Sequence, residues 1–166
     1  KFSGSVPVSK KVFLENEILA KYTPLSLIEI NAWFQKHEDA ILVTDKINNP
    51  SLMVNQFVDK NRLMMELFSL EAILEAQELG LERILASEKV LKAFGDQRLH
   101  KLLENNIKYV TFSISYMEEN RAFIRMLIRN DIKAIVYNLT AEKNEKYLIQ
   151  NKMDDIFGFY ADTWNF

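Results

Sequence analysis

The 166-residue chain is 48% hydrophobic and 27% charged, with a formal net charge of −2, the composition of a globular protein with a sizeable core. That balance leaves no basic footprint for nucleic acid, and no apolar run reaches the roughly 18 residues of a membrane span. Cysteine is absent, which excludes disulfides, thiolate metal sites and cysteine nucleophiles, and the four glycines (Gly4, Gly80, Gly95, Gly158) cannot build a G-x-G-x-x-G or Walker loop.

Residues 1–25, with Gly4, Pro7 and Pro24 and no sustained periodicity, read as a loop or insertion; residues 26–166 read as repeated strand–helix units. Ser26-Leu-Ile-Glu29 has capping-box spacing and opens a helix whose Leu27, Ile30, Trp33 and Phe34 recur at helical intervals. Residues 40–46 are a short apolar run ending in polar residues, as a buried parallel strand does. Residues 62–68 are the second strand, and Ser69 caps a helix through Leu79 that stops at Gly80. Residues 82–87 are the third strand, followed by helical sequence broken around Gly95-Asp96. Residues 109–115 are the fourth, ahead of a helix from about 118 to 129. Residues 132–138 are the fifth, ahead of a helix starting near Thr140, and the sixth lies within 155–161.

Strands alternating with helices at a spacing of roughly 20–25 residues imply a parallel sheet, because parallel neighbours need crossover connections. A doubly wound open sheet and a barrel both fit. In residues 109–115 the side chains of Thr111, Ser113 and Ser115 share one face and Val110, Phe112 and Ile114 the other. A polar inner face near the end of a strand is natural at the mouth of a barrel, so the barrel is favoured.

The closing segments are the most specific. Asp131-Ile-Lys-Ala-Ile-Val-Tyr-Asn-Leu-Thr-Ala-Glu142 and Phe157-Gly-Phe-Tyr-Ala-Asp162 resemble the end of glycerophosphodiester phosphodiesterase barrels. In that family a "G-I-K-V-x-x-W-T-V-N" strand is followed by a helix and a "D-G-I-x-T-D" strand. Gly158 and Asp162 fall on the family's glycine and aspartate, and Tyr137 on its aromatic position. Phe2-Ser-Gly-Ser-Val-Pro-Val-Ser9 and Tyr22-Thr-Pro-Leu-Ser-Leu27 are similar to the segment after its His-Asp motif, and Val43-Thr-Asp-Lys46 sits where it has "I-E-I-K".

The resemblance implies an α/β fold of parallel (β/α)8 TIM-barrel type, of which residues 26–166 are the last six units. It implies a phosphodiester hydrolase acting on glycerophosphodiesters or phosphodiester-linked glycans, and a divalent cation, Ca²⁺ or Mg²⁺. The family's "H-R-G", "E-x-D" and "H-D" motifs have no counterpart, and His37 and His100 sit in helical sequence. The acid/base histidines and two metal ligands are therefore expected in a missing N-terminal part, and this chain alone is expected to be inactive. The family's third metal carboxylate falls on Thr44; Asp45 is adjacent but points to the other face of a regular strand.

Lys46, ending the first strand, is the expected phosphate-contacting cation, or else a lysine paired with Glu66. Glu66 interrupts the apolar run of the second strand, where an ionised group is costly unless paired or metal-bound. It is read as a substrate contact, a metal ligand alternative to Asp45, or the partner of Lys46. Tyr137 and Trp164 are placed to pack on a glycerol or sugar moiety, Ser113 and Ser115 to face the lumen, and Asp162 to bind or to cap a turn. The expected ligand is a small phosphodiester, with no nucleic acid, no transmembrane segment and a cytoplasmic location favoured. Two unpaired sheet edges predict association with the missing N-terminal segment or self-association. Two readings compete: a non-catalytic barrel-type binding or scaffold domain, which Thr44 hints at, and an open α/β sheet binding a small phosphorylated ligand.

Overall fold

Residues 9–17, 22–139 and 156–161 are described by the computed structural model. Six parallel strands pair in chain order: β1 (Leu42–Thr44), β2 (Leu63–Leu67), β3 (Arg83–Ala86), β4 (Tyr109–Ser113), β5 (Lys133–Leu139) and β6 (Gly158–Ala161). Helix α1 (Lys10–Glu15) lies within the stretch read as a loop, and α2 (Leu27–Phe34) precedes β1. Crossovers are made by α3 (Pro50–Gln56), α4 (Leu70–Glu78), α5 (Glu88–Phe94) with α6 (Arg98–Glu104), and α7 (Ile114–Glu119) with α8 (Arg121–Arg129).

A doubly wound sheet reverses its strand order at a switch point; here the order never reverses. Crossovers of one hand then place the described crossover helices on one face, and the burial agrees. One large cluster joins Leu63, Met65, Leu67, Val110, Phe112 and Val136 of the strands to Phe34, Met53, Ile73, Leu91, Leu102, Phe123 and Leu127 of the helices. The other face carries a small cluster of Met64, Leu85 and Ile135, with Tyr109 and Tyr160 packed against it. The sheet is a curled half-barrel with helices outside and this small cluster on its inner wall.

Local chemistry sets the boundaries. The Ser26 hydroxyl accepts from the Glu29 amide, while the Glu29 carboxylate accepts from the Ser26 N–H at 2.8 Å, a complete capping box at the start of α2. Ser69 caps α4, and Gly80 follows that helix at φ 71°, the left-handed region a Cβ disfavours. All five residues of β2 are buried, on both faces, as parallel strands require.

Besides α1, three elements depart from the sequence expectation. Residues 50–56 form a helix, started by the Asn49 side chain and Pro50 in the first turn; seven residues are too few for a helical period to show. β4 stops at Ser113, because the Ser113 hydroxyl accepts from the Tyr116 N–H at 3.1 Å and begins α7. Ser115 is consequently exposed on a helix and does not line the interior. The single helix expected from about 118 to 129 is two helices, α7 and α8, meeting at Asn120.

Candidate functional site at the mouth of the half-barrel

Side chains in register across parallel strands point to the same face. Glu66 is in register with Leu85, and Ser113 with Tyr137. Glu66, Ser113 and Tyr137 therefore share the inner face with Met64, Leu85 and Ile135, at the C-terminal ends of their strands. Tyr160 joins them from β6. Val43 is in register with Met64, so Asp45, two residues on, leaves β1 on the same side, and Thr44 is buried on the other. The elements meet at one mouth.

Glu66 is 7% exposed and has no hydrogen bond or ion pair among the described residues. Burial first, and then the neighbouring charge of Asp45, push its pKa up to about 7, with Lys46 pulling the other way. It can therefore hold or release a proton near neutral pH.

Lys46 corrects the expectation of a buried partner. Its side chain is 85% exposed and its ion pair is with the adjacent Asp45, at 3.5 Å, rather than with Glu66. Just past the end of β1, Lys46 adopts φ 61°. Its charge still reaches Glu66.

The sequence reading missed Glu88, the first residue of α5. Its carboxylate accepts from the Ser113 N–H and hydroxyl, each at 2.8 Å, and from the Tyr137 hydroxyl at 3.1 Å, and it pairs with Lys92. Burial raises its pKa, but the bonds from Lys92, Ser113 and Tyr137 outweigh burial and hold it down to about 2. One carboxylate thus ties the start of α5 to the ends of β4 and β5. An acid in the first turn of a helix is common for dipole reasons alone, so the sequence carried no signal that set it apart.

Tyr137 takes its orientation from this bond. Burial and the charge of Glu88 push its hydroxyl up to about 12, so at neutral pH it is a donor and not a base. The hydroxyls of Tyr160 and Ser87 are buried without a hydrogen-bond partner among the described residues. Burial, then the charges of Glu66 and Asp45, also raise the Tyr160 pKa; the curl brings β6 within electrostatic reach of β1 and β2. Thr111 is satisfied inside the sheet, donating to the Ile135 carbonyl at 3.0 Å.

Comparison with protein-family models, with curated proteins and with solved structures finds no match.

Two carboxylates, Asp45 and Glu66, face the mouth from neighbouring strands, and no group of three or more His, Asp or Glu able to hold a metal occurs among the described residues. Alone they fall short of the oxygen-rich shell that Ca²⁺ or Mg²⁺ takes. His37 follows α2, stacked on Trp33 with ring centroids 3.8 Å apart, and His100 lies on α6; both belong to the helical layer. Trp164 and Asp162 lie outside the described residues. No helix among the described residues is long and apolar enough to cross a membrane.

Proposed function

We propose that this mouth is the substrate side of a phosphodiester hydrolase of the glycerophosphodiester phosphodiesterase type, acting on a small phosphodiester. The observation that carries the reading is Glu66, a buried carboxyl at the C-terminal end of a parallel strand, without a partner among the described residues and titrating near neutrality. An unpaired buried carboxyl is costly to keep, and a strongly perturbed acid in a concave site is a mark of function. The C-terminal ends of the strands are also where barrel-type folds place their chemistry.

In this reading Glu66 exchanges a proton with an alcohol oxygen of the phosphodiester, as general base toward the attacking group or general acid toward the leaving one. Lys46 and its exposed ammonium offset the phosphate charge from the rim. Tyr137, aimed by Glu88, walls the glycerol or sugar side. The histidines that the resemblance implies come from outside residues 1–166. A Ca²⁺ or Mg²⁺ ion, if the family's chemistry holds, would draw on Asp45 and take its other ligands from outside residues 1–166, leaving Glu66 to the proton.

A second reading is a non-catalytic domain of the same fold. Glu88 favours it, since its bonds are all met within the protein, as does Thr44 in place of a metal carboxylate. An NMR titration with glycerophosphocholine tests whether the mouth binds at all. Shifts at Glu66, Lys46 and Tyr137 are expected; shifts elsewhere, or none at millimolar ligand, overturn the assignment. Binding at the mouth by a native protein that has no turnover favours the second reading.

A further inference from the structure

Six arginines occur in the chain, and three of them, Arg121, Arg125 and Arg129, fall within the nine residues of α8. The other three serve the fold. Arg62 bonds Asp59 at 3.0 Å and the carbonyls of Phe34 and His37, and Arg83 donates to the Asn61 carbonyl. Arg98 donates to the Tyr116 hydroxyl at 2.9 Å and lies over the Phe123 ring. Arg125 and Arg129 are exposed and have no hydrogen bond or ion pair among the described residues.

Helical geometry makes the three a row. Residues four apart are offset by about 40° around a helix, so Arg121, Arg125 and Arg129 follow one another along about 12 Å of its outward side. Phe123, Ile124 and Leu127 fill the opposite side and are buried. Met126 and Ile128 flank the row, one on either side, and are 39% and 38% exposed. No acid lies within α8; Glu118 and Glu119 precede it and Asp131 follows.

The helix itself gains little from this pattern. Like charges four residues apart repel, and a cation in the first turn opposes the helix dipole. Only Arg129, in the last turn, is favourable to that dipole. Helices α2, α4 and α5 each carry an acid in the first turn, whereas α8 has none there and no side-chain cap. The charge suits an anion outside the helix, and guanidiniums match phosphate with paired N–H donors. The row stands on the convex outer side of the half-barrel, a shape that meets a plane rather than encloses a peptide. Cations edged by apolar tips are also the pattern of segments that lie in the headgroup layer of a membrane.

We propose that the outward row of α8 is a reversible docking surface for an anionic phospholipid bilayer. The guanidiniums bond lipid phosphates, while Met126 and Ile128 enter the headgroup boundary. Arg125 and Arg129 lie in the helical layer and not at the mouth, so vesicle binding and phosphodiester binding succeed or fail independently.

Sedimentation of the native protein with lipid vesicles tests this. It should bind vesicles of mixed phosphatidylserine and phosphatidylcholine, ignore vesicles of phosphatidylcholine alone, and be released as salt rises from about 0.1 M to about 0.5 M. Each cation near an anionic surface contributes about fivefold, so Arg125→Gln combined with Arg129→Gln should lower the partition coefficient about 30-fold. An unchanged urea midpoint shows that the variant is folded; if it is not, the salt series on the native protein still decides. Equal binding to both kinds of vesicle, or none to the mixed ones, overturns the proposal, as does a folded variant that binds like the native protein. Capture of soluble polyglutamate while mixed vesicles stay unbound overturns it in favour of an acidic protein partner.

Discussion

Glu66 and Glu88 begin from the same ordinary carboxyl value of 4.5, and the fold drives them apart, to about 7 and about 2. Glu66 is desolvated beside another acid; Glu88 is bonded by an ammonium, an amide and two hydroxyls. Their effects on stability have opposite signs and separate pH windows. Between pH 4.5 and about 7 the folded state keeps on Glu66 a proton that the unfolded state has released, so stability falls as pH rises, by about 3 kcal/mol at most. Glu66→Gln should abolish that slope, and urea midpoints at pH 5 and pH 8 will show whether it does. Glu88 stabilises above pH 4.5, and its contribution is lost as pH falls toward about 2. Glu88→Ala should cost about 2–3 kcal/mol at pH 7, since it breaks charge-assisted bonds and leaves the Tyr137 hydroxyl half-buried without its acceptor; a cost below about 0.5 kcal/mol by denaturant unfolding would contradict the network. Of these residues Glu66 was legible in the sequence, because a carboxyl inside an apolar strand has few explanations. Glu88 was not, because its partners Ser113 and Tyr137 are 25 and 49 residues away. The exposure and the positive φ of Lys46 were also hidden, because neither has a residue signature.

At the scale of elements, the strands were readable because buried parallel strands are continuous apolar runs, and the ends of α2 and α4 because Ser26, Glu29, Ser69 and Gly80 do what their side chains, or lack of one, dictate. Helix α3 and the break at Asn120 were not, since both lie in stretches too short for periodicity to decide. Ser113 shows why the end of β4 was misplaced. Alternation predicts a strand through residue 115, but a serine that can cap a helix competes with the ladder, and here the cap wins. Ser113→Ala removes both that cap and a bond to Glu88, and should lower stability by about 1–2 kcal/mol in thermal or urea unfolding. Gly80→Ala places a Cβ at φ 71°, 3.2 Å from the flexible Lys60 Nζ. The tip of Lys60 can move and the backbone angle cannot, so the expected cost is about 1 kcal/mol, read as a fall in Tm of several degrees.

For the whole molecule, the sequential strand order and the helices on a single face distinguish a singly wound half-barrel from a doubly wound sheet. Strand count and spacing alone left that choice open, because neither fixes strand order. The curl turns the inner face of the sheet into a concave wall and gathers Asp45, Glu66, Ser113, Tyr137 and Tyr160 from five strands or strand ends. The measurement that bears most directly on the account is hydrolysis of a glycerophosphodiester by the native protein and by its Glu66→Gln variant, with folding of both checked by urea unfolding. With the histidines that the proposed function draws from outside residues 1–166 present, the native protein should turn over the substrate, and Glu66→Gln should lower kcat/KM by about 100-fold or more while remaining folded. A native protein without turnover, or a Glu66→Gln variant as active as the native protein, would contradict the account.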